Sequence, residues 1–96
     1  MFVTMVEAPV AAERESDLRA AWAAETGSGD RPAGLLESSL LRSEAGTWRI
    51  VTVWESRDAV MAMRSAGRPA AVVMLEQAGG DPAVSFWTVE GRLPVA

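Results

Sequence analysis

Thr47-Trp48-Arg49-Ile50-Val51-Thr52-Val53-Trp54-Glu55 is the stretch that decides the fold. Its aromatic and β-branched side chains suit a pleated, half-buried surface. Read with a period of two, one face carries Trp48, Ile50, Thr52 and Trp54, while the other includes Val51 and Val53. A strand with one face in water shows polar residues at alternate positions. Here both faces carry apolar side chains, so both call for cover.

Working outward, Leu35–Arg42 reads as a strand that a Ser43–Gly46 turn joins to this one, making an antiparallel hairpin. On the other side, Ser56 is suited to cap a short helix through Ser65, with Asp58 in its first turn. Gly67-Arg68-Pro69 interrupts that helix. Pro69 then suits the first position of another, Ala70–Ala78, which Gly79-Gly80 ends. Ala83–Glu90 reads as the closing strand, with Val84 and Phe86 on one face and Trp87 and Val89 on the other. At the other terminus, Phe2–Glu7 reads as a strand ending before Pro9. Ala11–Glu25 is rich in helix formers, with Leu18, Ala21, Trp22 and Glu25 on one face. Glu13, Glu15 and Asp17 lie near its start, where the helix dipole favours acids. A Gly27–Pro32 loop follows.

The order is β-α-β-β-α-β, with the second helical stretch broken in two. This predicts a ferredoxin-like α+β domain, an antiparallel sheet with helices on one face. Its 96 residues suit one domain, assigned to residues 1–91, with a tail at 92–96. A chain this size buries roughly 60–65% of its unfolded surface. Helices cover one sheet face only, so the other apolar face predicts a symmetric homodimer.

Composition limits the chemistry. The chain has no Cys, His, Lys or Tyr. It therefore lacks a thiolate nucleophile, the commonest general base and metal ligand, a Schiff-base amine and a phenolic acid. Carboxylates, Arg, Ser and Thr, Trp, the backbone or the substrate's own reactivity must carry any reaction. A net charge of −4, with scattered arginines, argues against nucleic acid or an anionic membrane as partner. No leader-like pattern or membrane-length apolar run is present, so a cytoplasmic protein is expected.

Gly34–Arg42, Trp48–Thr52 and Val53-Trp54-Glu55-Ser56, with the short helix after them and the closing Val84-Ser85-Phe86-Trp87, resemble the antibiotic biosynthesis monooxygenase superfamily. The resemblance implies a dimeric α/β barrel with a pocket between sheet and helices in each subunit. It also implies an activity, since relatives include oxygenases of anthrones and quinols that use no metal or flavin. In those, a deprotonated, electron-rich substrate reacts directly with oxygen. Trp54 occupies the place of a tryptophan in anthrone-type members, whereas their asparagine four residues earlier is replaced by Ile50. Haem-degrading relatives use an asparagine, a tryptophan and a histidine, at positions that correspond to Glu7, Met63 and Val73. Without histidine, haem degradation by that route is excluded.

Candidate pocket residues are therefore Trp54, Glu7, Ile50, Thr52, Met63 and Trp22. Trp54 could stack on a flat aromatic substrate or fill the core. Glu7 could be a general base with a raised pKa, or a solvated strand end. Ser38 and Thr52 could offer hydroxyls, and Met61, Met63 and Met74 could line an adaptable cavity. Trp22 is read first as core. Two functions stay open: a cofactor-independent monooxygenase acting on a small hydrophobic aromatic or polyketide-derived molecule, and a non-catalytic dimeric module that binds such a molecule or supports a pathway enzyme.

Overall fold

A computed structural model describes residues 1–93 and consists of a four-stranded antiparallel sheet with helices on one face. The strands are β1 (Phe2–Pro9), β2 (Leu35–Arg42), β3 (Thr47–Trp54) and β4 (Ala83–Thr88), and the helices are α1 (Glu15–Gly27), α2 (Arg57–Ser65) and α3 (Ala70–Gln77). Across the sheet the order is β2-β3-β1-β4, as the split β-α-β topology requires. The ferredoxin-like expectation holds. The second part of the expected domain scheme, the tail at 92–96, falls mostly outside the described residues, since 94–96 are not among them.

Register explains which residues face inward. Val6 pairs with Ile50 and with Val84, and Thr4 pairs with Thr52 and with Phe86. Side chains at paired positions share a face, so Thr4, Val6, Ala8, Trp48, Ile50, Thr52 and Trp54 all point towards the helices, and all are buried. Val3, Met5, Val51 and Val53 point the other way and are only half-buried, and Trp87 beside them is 54% exposed.

Element boundaries depart from expectation in four places. Residues Ala12–Arg14 form a tight 3-10 turn before α1, so the α-helix starts later than the helix-forming composition suggests. β1 includes Pro9, whose missing N–H is harmless at the last rung; the next residue, Val10, bonds instead to the Gly46 carbonyl. Pro69 caps α3 with extended backbone rather than occupying its first turn. β4 stops at Thr88 because its partner runs out: Thr88 faces Phe2, and the ladder ends with the Val89 amide bonded to the Met1 carbonyl. Ser56 does cap α2, its Oγ accepting from the Ala59 amide.

The core lies at the Trp48 end of the sheet. Leu18 of α1 and Leu75 of α3 close over Val6, Ala8, Trp48 and Ile50. Burying a side chain such as Leu18 or Leu75 stabilises the fold by about 1.5–3 kcal/mol. The same end is latched electrostatically. The Glu15 carboxylate accepts a bond from Arg42 Nε at 2.6 Å and from the Trp48 indole at 2.7 Å, joining α1 to β2 and β3. Arg19 lies over the Trp48 ring, 5.0 Å from its centroid. Arg14 donates to the carbonyl of Gln77, tying the start of α1 to the end of α3.

Gly34 fixes the approach to β2. Its φ is 84°, and a Cβ there would come within 2.6 Å of the Ala59 side chain on α2. Glycine alone meets both demands.

The bond from Arg42, then that from Trp48, holds the Glu15 carboxyl below its ordinary value of 4.5. A carboxylate whose pKa is depressed by folding stabilises the native state above its unfolded value, and that contribution disappears as pH falls through the folded value. Thermal midpoints of wild type and a Glu15→Gln variant should therefore differ most near neutrality and converge at pH below 4.5. A gap independent of pH would show that the carboxylate's charge contributes nothing.

Candidate functional site

The end of the sheet opposite Trp48 is not filled. A cavity of about 300 Å³ lies there, between the inner sheet face, the second half of α1, α2 and the start of α3. That is at the small end of the size range of small-molecule sites. It lies where the second helical stretch breaks, α2 ending at Ser65 and α3 starting at Ala70, so that residues of both helices line it. The α1–β2 loop contributes Asp30, Arg31 and Pro32 to the rim. Arg31 is held there by the carbonyls of Thr26, at 3.0 Å, and Asp30, at 3.1 Å.

Five of the six expected pocket residues line this cavity: Trp22, Ile50, Thr52, Trp54 and Met63. Glu7 does not. Its odd position in β1 turns it to the opposite sheet face, where its Oε2 accepts from Arg49 Nε at 3.0 Å and NH2 at 2.6 Å. A strand-end acid with a cross-strand arginine is satisfied in water. Of the two readings of Glu7, the geometry supports the solvated strand end and not a general base in the cavity. The side chains of β1 on the cavity side are those of Thr4 and Val6.

Trp54 is 3% exposed and forms wall rather than projecting surface. Its indole N–H donates to Thr4 Oγ1 at 3.0 Å across the β1–β3 pair, which fixes the ring. Half-buried Trp22, read first as core, also borders the cavity and is the more available aromatic surface. Beside these rings, the hydroxyls of Ser38 and Thr52 lie 2.9 Å apart across β2 and β3, and either can donate. Thr4, Thr52 and Ser38 thus give an otherwise apolar enclosure a short polar strip. Thr4 escaped the sequence reading, although strand alternation with Val6 already placed it on the inner face.

The ionisable side chains that line the cavity, Glu25, Asp30, Arg31 and Arg64, are all exposed and mark its rim, while Glu37, paired with Val53, turns to the other face. Among the described residues there is no group of three or more acids able to hold a metal ion, and every fully buried side-chain polar atom has a hydrogen-bond partner. The enclosure can therefore take up a flat apolar molecule, offer hydroxyls to one of its polar edges and keep water away from most of its surface.

Residues 1–75 match the family model described as antibiotic biosynthesis monooxygenase. The chain belongs to that family. Solved structures of the same fold extend over nearly the whole length. A proposed antibiotic biosynthesis monooxygenase of Deinococcus radiodurans is 16% identical with a TM-score of 0.75, covering 100% of this chain and 99% of its own. A variant of SnoaB, a cofactor-independent oxygenase of Streptomyces nogalater, is 19% identical with a TM-score of 0.70, each chain covered to 98%. MhuD, a haem degrader of Mycobacterium tuberculosis solved with two haems in its active site, is 21% identical with a TM-score of 0.74, covering 98% of this chain and 100% of its own. No curated protein matches the sequence. At such identities the solved structures show a shared fold.

The Thr4–Trp54 bond should be measurable in stability. A Thr4→Val variant keeps the shape but leaves a buried indole N–H without an acceptor, which costs about 1–3 kcal/mol. Urea unfolding followed by Trp fluorescence would read this as a lowered midpoint, and Ser38→Ala, at the half-buried end of the strip, should lose less.

Proposed function

We propose that this family member is a cofactor-independent monooxygenase acting on a small, flat, hydrophobic aromatic or polyketide-derived molecule bound in the cavity. The observation that carries the reading is the enclosure itself, an apolar cavity between two tryptophans with a strip of neutral hydroxyls and no buried ionisable group. Such a site suits a substrate that supplies its own reactivity. An anthrone or quinol is acidic enough to lose a proton to the carboxylates or water at the rim. The resulting carbanion adds dioxygen to form a peroxide at the same carbon. Loss of water then leaves a carbonyl: one oxygen atom stays on the former methylene carbon, and the other departs carrying its second hydrogen and a returning proton. The protein's part is to orient the ring, hydrogen-bond its developing oxyanion through Ser38, Thr52 or Thr4, and exclude water.

Oxygen uptake by the purified protein, with a panel of anthrones and quinols, tests this directly. Uptake above the spontaneous rate should fall roughly 10-fold or more in Trp22→Ala and Trp54→Phe variants, since misplacing the ring forfeits orientation. The second reading, a binding module without catalysis, draws support from the purely neutral interior. Quenching of Trp fluorescence by the same compounds, with no oxygen uptake, would establish it and overturn the enzyme.

The reading includes a homodimer formed through the uncovered sheet face. Val3, Met5, Val51 and Val53 are only half-buried there, next to exposed Trp87, whose indole bonds its neighbour Ser85 at 2.9 Å. A contiguous apolar face of this kind is commonly covered by a second molecule. Two such sheets packed face to face would close the α/β barrel. Light scattering at micromolar concentration should give twice the mass of one chain, and Val51→Asp should give the single mass. A wild-type monomer would sink the dimer without touching the cavity.

A further inference from the structure

The rim of the cavity is electrically lopsided. Along the α1–β2 side it carries Glu25 and Asp30 against Arg31. Arg31 is also already occupied by two backbone carbonyls. On the side of α2 and β4, which is the opposite edge of the sheet, the only charged lining residue among those described is Arg64. Its guanidinium sits 5.2 Å from the centroid of the Phe86 ring. Phe86 is 43% exposed and stacks on Phe2 with centroids 6.2 Å apart, so the arginine rests on a two-ring platform at the cavity's edge. Arg68, in the break between α2 and α3, is paired with Glu76, whereas Arg64 forms no ion pair among the described residues.

We infer that Arg64 is a specificity residue that receives an anionic oxygen, a carboxylate or an ionised phenol, at one end of the aromatic ligand. This rests on the reading of the cavity as a ligand site and adds a direction to it. A guanidinium stacked on a ring keeps its in-plane N–H donors available for an oxyanion. The acidic rim on the other side repels the same group, so a ligand with one charged end enters in one orientation. The apolar body then lies along Met63, Val84 and Ile50 towards Trp22 and Trp54. The last turn of a helix is also where a cation complements the helix dipole, so Arg64 could be retained for that alone. A ligand-charge comparison separates the two roles.

The test measures quenching of Trp fluorescence by anthraquinone carboxylate and by the neutral anthraquinone carboxamide, on wild type, Arg64→Gln and Arg64→Lys. The carboxylate should bind about 3- to 10-fold more tightly than the amide, a preference of the size expected for a partly exposed charge-assisted contact. High salt should shrink that preference, Arg64→Gln should abolish it, and Arg64→Lys should keep most of it. Equal binding of the two probes by wild type, or a preference that survives in Arg64→Gln, overturns the inference and leaves the cavity reading in place. A Gln variant that weakens both probes alike assigns Arg64 to packing on Phe86 and overturns it too. If neither probe quenches wild type, the cavity is not a site for flat aromatics, and both readings fall together.

Discussion

Antiparallel pairing of β1 with β3, Phe2 opposite Trp54 and Ala8 opposite Trp48, is the constraint on which the other features depend. It places the two tryptophans of β3 on one face, six residues apart and therefore at opposite ends of the sheet. Each indole N–H then needs a partner away from water. Trp48 finds it in the Glu15 carboxylate, and Trp54 finds it in the Thr4 hydroxyl. The first solution recruits a helix and closes the core. The second stays within the sheet and asks nothing of the helices, so that end can remain open.

Helix geometry finishes the division. α1 serves both regions, with Leu18 sealed in the core and Trp22, one turn later, at the cavity. The break between α2 and α3 lets α3 pack against the closed end while α2 stands over the open one. One sheet face thus supports both a packed core and an enclosure, with Val6, Ile50 and Met74 belonging to each. Substitutions at those shared residues would couple ligand binding to stability, because their packing serves both.

Charge follows the same division. Glu15 and Arg42 are joined beside the core, where partial burial strengthens their bond. The carboxylates and arginines around the cavity stay in solvent and leave its interior neutral. A neutral interior favours uptake of an apolar ring and places any charge selection at the entrance.

Much of this was legible in the residues themselves. Period-two alternation in Thr47–Trp54 and the turn chemistry around it settle the strands, the short Ser43–Gly46 turn makes β2 and β3 neighbours, the β-α-β-β-α-β order points to the rest of the sheet, and Ser56 announces α2 through its capping hydroxyl. The inward set Trp48, Ile50, Thr52 and Trp54 could be read because side chains on a strand cannot choose their face. What alternation cannot supply is the neighbour on the next strand or helix. Glu7 stood open between a general base and a solvated strand end until the β1–β3 register set it against Arg49 on the outer face. Thr4 looked ordinary until it met Trp54, and Glu15 looked like a dipole-complementing acid until Arg42 and Trp48 converged on it. Local sequence determines elements and faces, since these depend on backbone sterics and the period of the chain. Partners separated by dozens of residues, and the space left where two helices part, arise only when the elements pack.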